Sequence, residues 1–570
     1  MHTTIYYLRP LVAGLLISMI GCQPKSNSMG PEVAMIKDIN LKRGDVISCG
    51  PPIFGSVAFD ISCKEVKEDF NFGMMLLHSF EYDEAEKVFA RIIDEEPSCA
   101  MAYWGVAMSN FHPLWTPPSE AELEKGNKAI AIAQSLSKTK REEAYINAIA
   151  SYFAKWKELD HRTRTVNFEN EMARLHAGFP EDKETAILYS LALTAAADPT
   201  DKTFVKQKKA GSILQSLYPN EPNHPGIVHY IIHTYDSPEL AEQALPAARK
   251  YAAIAPSSAH ALHMPSHIFT RLGLWDDCIK SNMASVASAQ CYADSSGIKG
   301  HWDEELHALD YLMYAYLQKG DNVRAKEQWD YLKTVREVSP VNFKVAYAFA
   351  SIPSRYLMEN KKWKDAASVD CHLESFDWSK YPWQKAMLHF TRLMGSVNSG
   401  DLNAARNELK TLKTLKENLL DQKDAYKANQ VDVQIKTSEA WIFFREGNHK
   451  QALSMMHAAA DLEDKTEKHP VTPGEVIPAR EWLGDMLLEM NKPAEALVAY
   501  EADLKSHVNR FNGLYGAAMA AKKSGDISKS KHYFKLLPAN NTETSGRLEI
   551  MEAKKYTSMA DLVSRRATKN

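Results

Sequence analysis

Histidine spacing is the first feature of this 570-residue sequence that points to chemistry. Eight of its 20 histidines lie within residues 224–307. His229 and His233 are four residues apart, which places both imidazoles on one face of a helix. His263 and His267 repeat that separation 34 residues further along the chain. Because a neutral imidazole is a common ligand for zinc, copper, iron and nickel, the pattern indicates a candidate site for a divalent transition metal.

Small and aromatic residues recur in units of the same length, and these units are the elements that must position the histidines. Counting from Val66, Gly73 falls at position 8, Ala85 at 20, Phe89 at 24 and Pro97 at 32. Small residues at positions 8 and 20 let two helices cross closely, and the aromatic ring fills the space behind them. The apolar spacing that follows is helical, with Pro and Gly between the segments. An all-α chain is predicted.

A second unit, counted from Ile477, has Gly484, Ala496 and Tyr500 at positions 8, 20 and 24. These residues resemble those of the tetratricopeptide-repeat (TPR) superfamily, whose 34-residue units are helical pairs. The resemblance implies a solenoid of helical hairpins that curves into a superhelix with a concave groove. Such repeats host many binding functions, so the resemblance indicates architecture rather than activity.

The repeats divide the sequence into five predicted parts. The resemblance is clear in three stretches, which are residues 66–112, 225–340 and 433–535, and it is faint between them. The parts are a signal peptide (1–21), a lipidated tether with a small cysteine loop (22–60), N-terminal repeats that become irregular after residue 116 (61–224), a central histidine-rich array (225–345) and C-terminal repeats (346–570).

The resemblance also implies where the histidines face. In the superfamily, the first helix of each unit lines the groove through positions 2, 5 and 9. Units counted from Pro225, Ala259 and Leu306 place the residues of interest at these positions. The implied ladder has His229, His263 and Asp310 on one rung, His233, His267 and Tyr314 on the next, and His260 and His307 lining the groove beside them.

Three interpretations of this ladder stay open at the level of sequence. The imidazoles, together with Asp310, form a metal site, or they line a groove for an anionic or polar ligand, or they pack between helices as satisfied polar groups. The His-Glu-x-x-His arrangement of zinc peptidases is absent. No cofactor is established by the sequence, and a divalent transition metal is the one that the ladder suggests.

Familiar catalytic signatures are also absent, which favours a non-enzymatic protein. The sequence contains no G-x-G-x-x-G, no G-x-x-x-x-G-K-[ST] and no G-x-S-x-G. Trp104 and Trp441 fall at groove positions, where an indole ring could stack on a sugar, although aromatic residues at repeat positions are more often part of a core.

The N-terminus reads as an export signal. Residues 11–20 (LVAGLLISMI) form a ten-residue run without a charge. A bilayer span takes about 20 apolar residues, so this run has instead the length of a signal-peptide hydrophobic region. The sequence MIGC at 19–22 resembles the bacterial lipobox, which implies cleavage after Gly21 and lipid modification of Cys22. A lipid-anchored protein is predicted, in the outer membrane of a Gram-negative bacterium, on either its periplasmic or its surface side; the alternative is an ordinary secretory signal.

The remaining cysteines suggest one disulfide. Cys49 and Cys63 have 13 residues between them, in a segment that contains Gly and Pro. Since an exported chain meets an oxidising compartment, these two cysteines are predicted to close a small loop before the helical body. The alternative is that both thiols are free. No C-x-x-C spacing occurs, which excludes a zinc ribbon and a thioredoxin-type motif.

Three functions remain for this sequence. The balance of 68 Lys and Arg against 72 Asp and Glu gives no electrostatic reason to expect a nucleic-acid partner. The first prediction is a lipid-anchored, non-enzymatic scaffold that holds a protein or a polar ligand in its groove. The alternative is an accessory glycan-handling lipoprotein of a polysaccharide-degradation or uptake system, because starch-utilisation-type lipoproteins share this format. The third is a metal-binding protein or metal-dependent enzyme that uses the histidine ladder.

Overall fold

The computed structural model describes residues 31–114, 117–373, 375–466, 468–539 and 547–567. The predicted signal peptide (1–21) and its lipidation site, Cys22, lie outside these residues. Within them, none of the helices combines the length and the apolar character that a bilayer span requires.

The described chain is a succession of α-helices in which each packs against its neighbours in sequence. Two short strands, β1 (His301–Trp302) and β2 (Val338–Ser339), pair in parallel. The helices are α1 Val33–Asp38, α2 Lys67–His78, α3 Tyr82–Glu95, α4 Ala100–Ser109, α5 Glu120–Ser135, α6 Lys140–Phe153, α7 His161–Gly178, α8 Lys183–Ala195, α9 Val205–Leu217, α10 Pro225–Thr234, α11 Ala241–Ile254, α12 Ala259–His263, α13 Pro265–Arg271, α14 Trp275–Ser296, α15 Asp303–Gln318, α16 Asn322–Leu332, α17 Phe343–Glu359, α18 Trp363–Ala366, α19 Pro382–Ser399, α20 Leu402–Asp421, α21 Ala425–Arg445, α22 His449–Asp464, α23 Ala479–Glu489, α24 Pro493–Ser506, α25 Phe511–Ser524, α26 Ile527–Ala539 and α27 Leu548–Ala567.

Glycine and aromatic residues determine how closely successive helices approach. A Cβ atom added at Gly73 of α2 or at Gly105 of α4 would lie 2.7 or 2.5 Å from the ring of Phe89 on α3. Carbon atoms in contact are about 3.5–4.0 Å apart, so a larger residue does not fit at either position. Tyr500 of α24 lies in the same way between glycines of α23 and α25. The predicted all-α, TPR-like solenoid of helical hairpins is confirmed.

The same packing extends into residues 116–224, where the resemblance in sequence is faint. A Cβ atom at Gly126 of α5 would overlap the ring of Phe153 on α6, and one at Gly211 of α9 would overlap Tyr235. The hairpin geometry therefore continues where the repeat signature does not.

The solenoid turns back on itself, so helices far apart in sequence meet. Helix α10 contacts α2, and α15 contacts α25. The loop between α22 and α23 contacts α17, where Arg355 donates hydrogen bonds to the carbonyl oxygens of Gly474 and Glu475 at 2.7 and 2.6 Å. The surface of α17 at Arg355 is thus covered by the chain itself.

Two disulfides fasten the N-terminal segment, residues 31–63, to the helical body. Cys49 is bonded to Cys291 of α14, and Cys63 is bonded to Cys99, which precedes α4. The predicted Cys49–Cys63 bridge is therefore wrong, and so is the alternative that both thiols are free.

The reason is that the segment between these two cysteines does not fold back into a loop. The amide of Ile53 donates to Ser257 Oγ at 3.1 Å, and that of Ser56 donates to the carbonyl oxygen of Asn223 at 3.1 Å. These bonds spread the segment across the helices, which brings each cysteine to a different partner on the body.

Candidate metal centre

Six histidines come together from four helices. Helix α10 begins at Pro225, whose fixed φ and missing N–H suit the first helical position, and it carries His229 and His233 one turn apart. Helices α12 and α13 follow each other with Met264 between them, and α15 approaches from the next repeat. They contribute His260 and His263 (α12), His267 (α13) and His307 (α15).

The first triad consists of His229, His233 and His260. The Nε2 atom of His229 lies 2.9 Å from that of His233 and 3.1 Å from that of His260. The Nδ1 atom of His229 lies 2.6 Å from the main-chain carbonyl oxygen of His78, to which only a protonated nitrogen can donate. The Nε2 atom of His229 therefore presents a lone pair to the other two rings.

The second triad consists of His263, His267 and His307. The Nε2 atoms of His263 and His267 are 3.0 Å apart. The Nδ1 atom of His263 donates to Asn282 Oδ1 at 2.6 Å, and that of His267 donates to Asp236 Oδ2 at 3.0 Å. The ring centroid of His307 is 4.3 Å from that of His263.

The second triad places two lone pairs against each other. Asn282 Nδ2 donates to the Cys278 carbonyl oxygen at 2.8 Å, which leaves Oδ1 as the acceptor, and Asp236 is an acceptor as a carboxylate. Both Nδ1 atoms consequently carry the protons. Two neutral rings then point unprotonated Nε2 atoms at each other across 3.0 Å. This arrangement is repulsive unless a cation lies between the two nitrogens.

Burial disfavours a proton as the cation between the two Nε2 atoms. Removal from water, reinforced by the neighbouring His267, lowers the pKa of His263 well below its ordinary value. The pKa of His229 is lowered well below its ordinary value by burial and then by His260. Burial also lowers the pKa of His267, although the Asp236 carboxylate acts in the opposite direction. The rings of His229, His263 and His267 are therefore neutral at pH 7, the form in which imidazole binds metals.

The distances suit a metal ion with ligands at right angles. Imidazole nitrogens bind transition metals at about 2.0–2.1 Å, so nitrogens 2.9–3.1 Å apart subtend about 90–98° at the ion. A tetrahedral zinc site, with angles of about 109°, needs nitrogens about 3.3 Å apart. Octahedral or square-based ions such as iron, nickel or copper fit better. The three ligand atoms within each triad lie within 4.8 Å of one another.

The two triads follow one rule of the repeat. Positions 5 and 9 of one unit meet position 2 of the next: His229 and His233 meet His260, and His263 and His267 meet His307. The triads adjoin, because the ring centroids of His233 and His267 are 6.3 Å apart. The groove positions of His260 and His307 thus make them members of the candidate centre.

Asp310 and Tyr314, predicted to continue the ladder, do not join the histidines. Asp310 Oδ1 accepts hydrogen bonds from Arg355 Nε at 3.0 Å and from Ser351 Oγ at 2.6 Å, both on α17. The Tyr314 hydroxyl lies 3.3 Å from Arg510 Nη1. The prediction that Asp310 completes a metal site is wrong, because position 5 of this unit faces α17, where its partner is the guanidinium of Arg355.

A third cluster, made of His78, Glu184 and His224, differs from the triads because a carboxylate lies between its two rings. His78 Nε2 and His224 Nε2 lie 3.1 and 2.7 Å from the Glu184 oxygens, and His78 Nδ1 lies 2.9 Å from the Tyr230 hydroxyl. Each contact pairs a donor with an acceptor. Glu184 thus pairs with both rings, while His224 Nδ1 has no hydrogen-bond partner within the described residues.

Sequence reasoning missed the residues that orient the triads. They are Asp236, Asn282, the main chain of His78, and Tyr311, whose hydroxyl lies 3.3 Å from His267 Nε2. Only Tyr311 had a local signal, since it lies four residues after His307 on the same face of α15. Burial raises the pKa of Tyr311, so its hydroxyl remains a donor near the centre.

Two cavities reach the first triad, and their charges are opposite. The basic cavity, about 390 Å³, is lined by His233 and by the charged residues Arg162, Asp236, Arg271 and Lys468. The acidic cavity, about 590 Å³, is lined by His260. Its lining also contains Lys344 and six carboxyl groups, those of Glu81, Asp83, Glu84, Glu122, Asp303 and Glu304.

The tryptophans at groove positions belong to the core. Trp104 and Trp441 are each only 1% exposed, so neither indole presents a face on which a sugar could stack.

Comparison with known proteins assigns no family to this chain. No protein-family model matches the sequence, and no curated protein matches it. Among solved structures, yeast Tom70 has a TM-score of 0.33 and 11% identity, over 89% of this chain and 99% of that one. The TPR domain of P58(IPK) has a TM-score of 0.20 and 15% identity, over 66% of this chain and 99% of that one. The structure of Naa15/Naa10 bound to HypK-THB has a TM-score of 0.23 and 11% identity, over 88% of this chain and 76% of that one. Similarity at this level supports no argument about either the fold or the function of this chain.

Proposed function

We propose that this protein binds transition-metal ions at the two histidine triads. The observation that carries the proposal is the 3.0 Å separation of His263 Nε2 and His267 Nε2, whose protons are committed to Asn282 and Asp236 on the opposite side of each ring. A carboxylate or amide that accepts from the far nitrogen is the usual outer partner of a metal-bound histidine, because it fixes the tautomer and the ring orientation.

An ion held by three imidazoles keeps coordination positions open for water or a small molecule. The first triad is the more accessible of the two, since His233 lines the basic cavity and His260 lines the acidic one. These features support a carrier of metal ions and equally a metal-dependent enzyme, the third function considered from the sequence.

Metal analysis of the purified protein tests the proposal. Elemental analysis after dialysis against iron, cobalt, nickel, copper or zinc should find up to two ions per chain, and the melting temperature should rise with metal and fall with chelator, because a ligand of the folded state stabilises it. His229→Gln and His263→Gln should each remove about one ion.

Two matched histidine variants serve as controls. His224→Gln changes the cluster in which a carboxylate, that of Glu184, lies between the two rings, and His532→Gln changes an exposed histidine on α26. Both should retain the metal content of the wild type. A protein without bound metal, whose melting temperature does not respond to chelator, would contradict the proposal and leave the triads as packing.

The location of the protein at a membrane is a separate proposal, supported by the sequence of residues 11–22. We propose that a lipid on Cys22 anchors the chain in an outer membrane. A protein or glycan partner in the concave groove stays a prediction. Such a partner does not bind at the surface near Arg355, because residues 474–475 cover it.

A further inference from the structure

The basic cavity contains a buried ammonium group with few partners. The side chain of Lys468 is 5% exposed. Within the described chain, its Nζ atom has two acceptors, Asp236 Oδ2 at 3.4 Å and the carbonyl oxygen of His469 at 3.5 Å. Both distances are at the outer limit of a hydrogen bond, and an ammonium group has three N–H donors.

Asp236 neutralises this charge only in part, because its carboxylate is shared with two other groups. One oxygen accepts from His267 Nδ1 at 3.0 Å, and the other accepts from Arg271 Nε at 2.9 Å. Burial, followed by the charge of Arg271, lowers the pKa of Lys468 to about 8. The ammonium form therefore still predominates at pH 7, and a buried charge in this position calls for an anionic partner.

The rest of the lining describes the size and character of that partner. Arg162 adds a second cation, and its Nη1 atom donates to the carbonyl oxygen of Ala197 at 3.0 Å. Leu114, Pro199 and Phe204 supply apolar surface. A volume of about 390 Å³ exceeds what a simple inorganic oxyanion fills. Mostly apolar walls with a few placed polar groups are typical of sites for small organic molecules.

From these contacts we propose that the basic cavity binds a small organic carboxylate, with its anionic group at Lys468 and Arg162 and its apolar body against Phe204 and Leu114. Because His233 lines the same cavity, the bound molecule lies beside the first triad. The acidic cavity, on the side of His260, repels the same anion. This inference rests on the proposed metal centre and specifies the class of ligand that approaches it.

Benzoate is a suitable probe, with benzamide as its neutral counterpart and inorganic phosphate as an oxyanion without an apolar body. Binding is measured by calorimetry on the full chain loaded with cobalt, and the visible absorption of the cobalt ion reports whether the probe reaches the metal. Benzoate should bind at least tenfold more tightly than benzamide and should perturb the absorption bands.

Lys468→Met should abolish the preference for benzoate while the metal content stays unchanged. Arg162→Gln, at an exposed position that does not threaten folding, should weaken benzoate binding several-fold. Lys128→Met, which removes one positive charge outside the cavity lining, is the control and should bind benzoate as the wild type does.

Each contrary result has a distinct meaning. Equal affinity for benzoate and benzamide, or unchanged benzoate affinity in Lys468→Met and Arg162→Gln, overturns the inference while the metal centre stands. If phosphate binds as tightly as benzoate, the inference that the ligand is an organic molecule is overturned. A chain that binds no metal in the preceding experiment overturns the proposed function and this inference together.

Discussion

Acidification from pH 7 to pH 5 should loosen the helices that carry the triads when metal is absent. Burial lowers the pKa of His229 and His263 well below the 6.5 of a free imidazole. Below pH 6.5 the unfolded chain therefore binds more protons than the folded chain. The free energy of unfolding consequently falls as the pH decreases from 6.5 towards the lower pKa of the folded state.

The size of the effect follows from the burial of the two rings. His229 and His263 are 0% exposed, so burial disfavours a proton on either ring unless the surrounding structure opens. Each contributes up to about 1.4 kcal/mol per pH unit over about 1.5 units, or up to about 2 kcal/mol. Together they account for up to about 4 kcal/mol, which is a large part of the 5–15 kcal/mol by which domains are usually stable.

Hydrogen exchange followed by mass spectrometry measures this locally, which matters because a long solenoid does not unfold in a single step. With chelator present, peptides from α10 and α12 should lose about 2–4 kcal/mol of protection between pH 7 and pH 5. Peptides from α20, a helix without histidine, serve as the internal reference.

Saturating metal at pH 7 should increase the protection of α10 and α12, since the ion binds only the folded arrangement. The double variant His229→Gln/His263→Gln should lose part of the pH dependence, because burial also lowers the pKa of His233 and of His307, which remain. If this variant retains the full dependence of the wild type, the buried neutral rings are not its cause and the reasoning is refuted.

Three further changes test the anchor, the repeat packing and the longer disulfide. Cys22→Ser should move the protein from the membrane fraction to the soluble fraction and remove acyl mass from its N-terminal peptide; unchanged fractionation would argue against lipidation. Ala496→Leu, at a 0% exposed helix crossing, should lower the free energy of unfolding in urea by about 1–3 kcal/mol through overpacking, and a neutral result would mean that the repeat phase is misassigned. Cys49→Ser should lower the melting temperature by removing a bridge worth about 2–4 kcal/mol, whereas Cys371→Ser, which breaks no disulfide of the described chain, should not.

The repeat architecture was predictable because its determinants are local. Gly73, Ala85 and Phe89 lie within one hairpin, and their contacts depend on short stretches of helix whose geometry is fixed. The 34-residue offset between the histidine pairs was informative for the same reason, since equal positions in successive repeats have equal orientations.

Membership of the triads depended on how successive repeats are staggered. The sequence places His260 in the same unit as His263, yet the ring of His260 meets His229 of the preceding unit. Position 2 crosses to the earlier repeat because of the offset between stacked hairpins, which no residue type reveals. The same offset directs Asp310 to Arg355 instead of to a histidine.

Contacts across the turns of the solenoid were beyond the sequence altogether. Lys468 meets Asp236 over a separation of 232 residues, and Cys49 meets Cys291 over 242. Such pairs depend on the accumulated curvature of many hairpins. A small change in the angle between neighbours would displace every one of them, so their spacing along the chain carries no signal.

The disulfide between Cys49 and Cys291 has a mechanical consequence. Tension applied to the chain through its N-terminal end, as an anchor there would apply it, passes at Cys49 through the sulfur–sulfur bond directly into α14. Helices α2 to α13 lie inside the closed covalent loop and are bypassed by that force. Five of the six triad histidines, all but His307, are on these unloaded helices, so pulling on the tether does not stretch the segment that holds them.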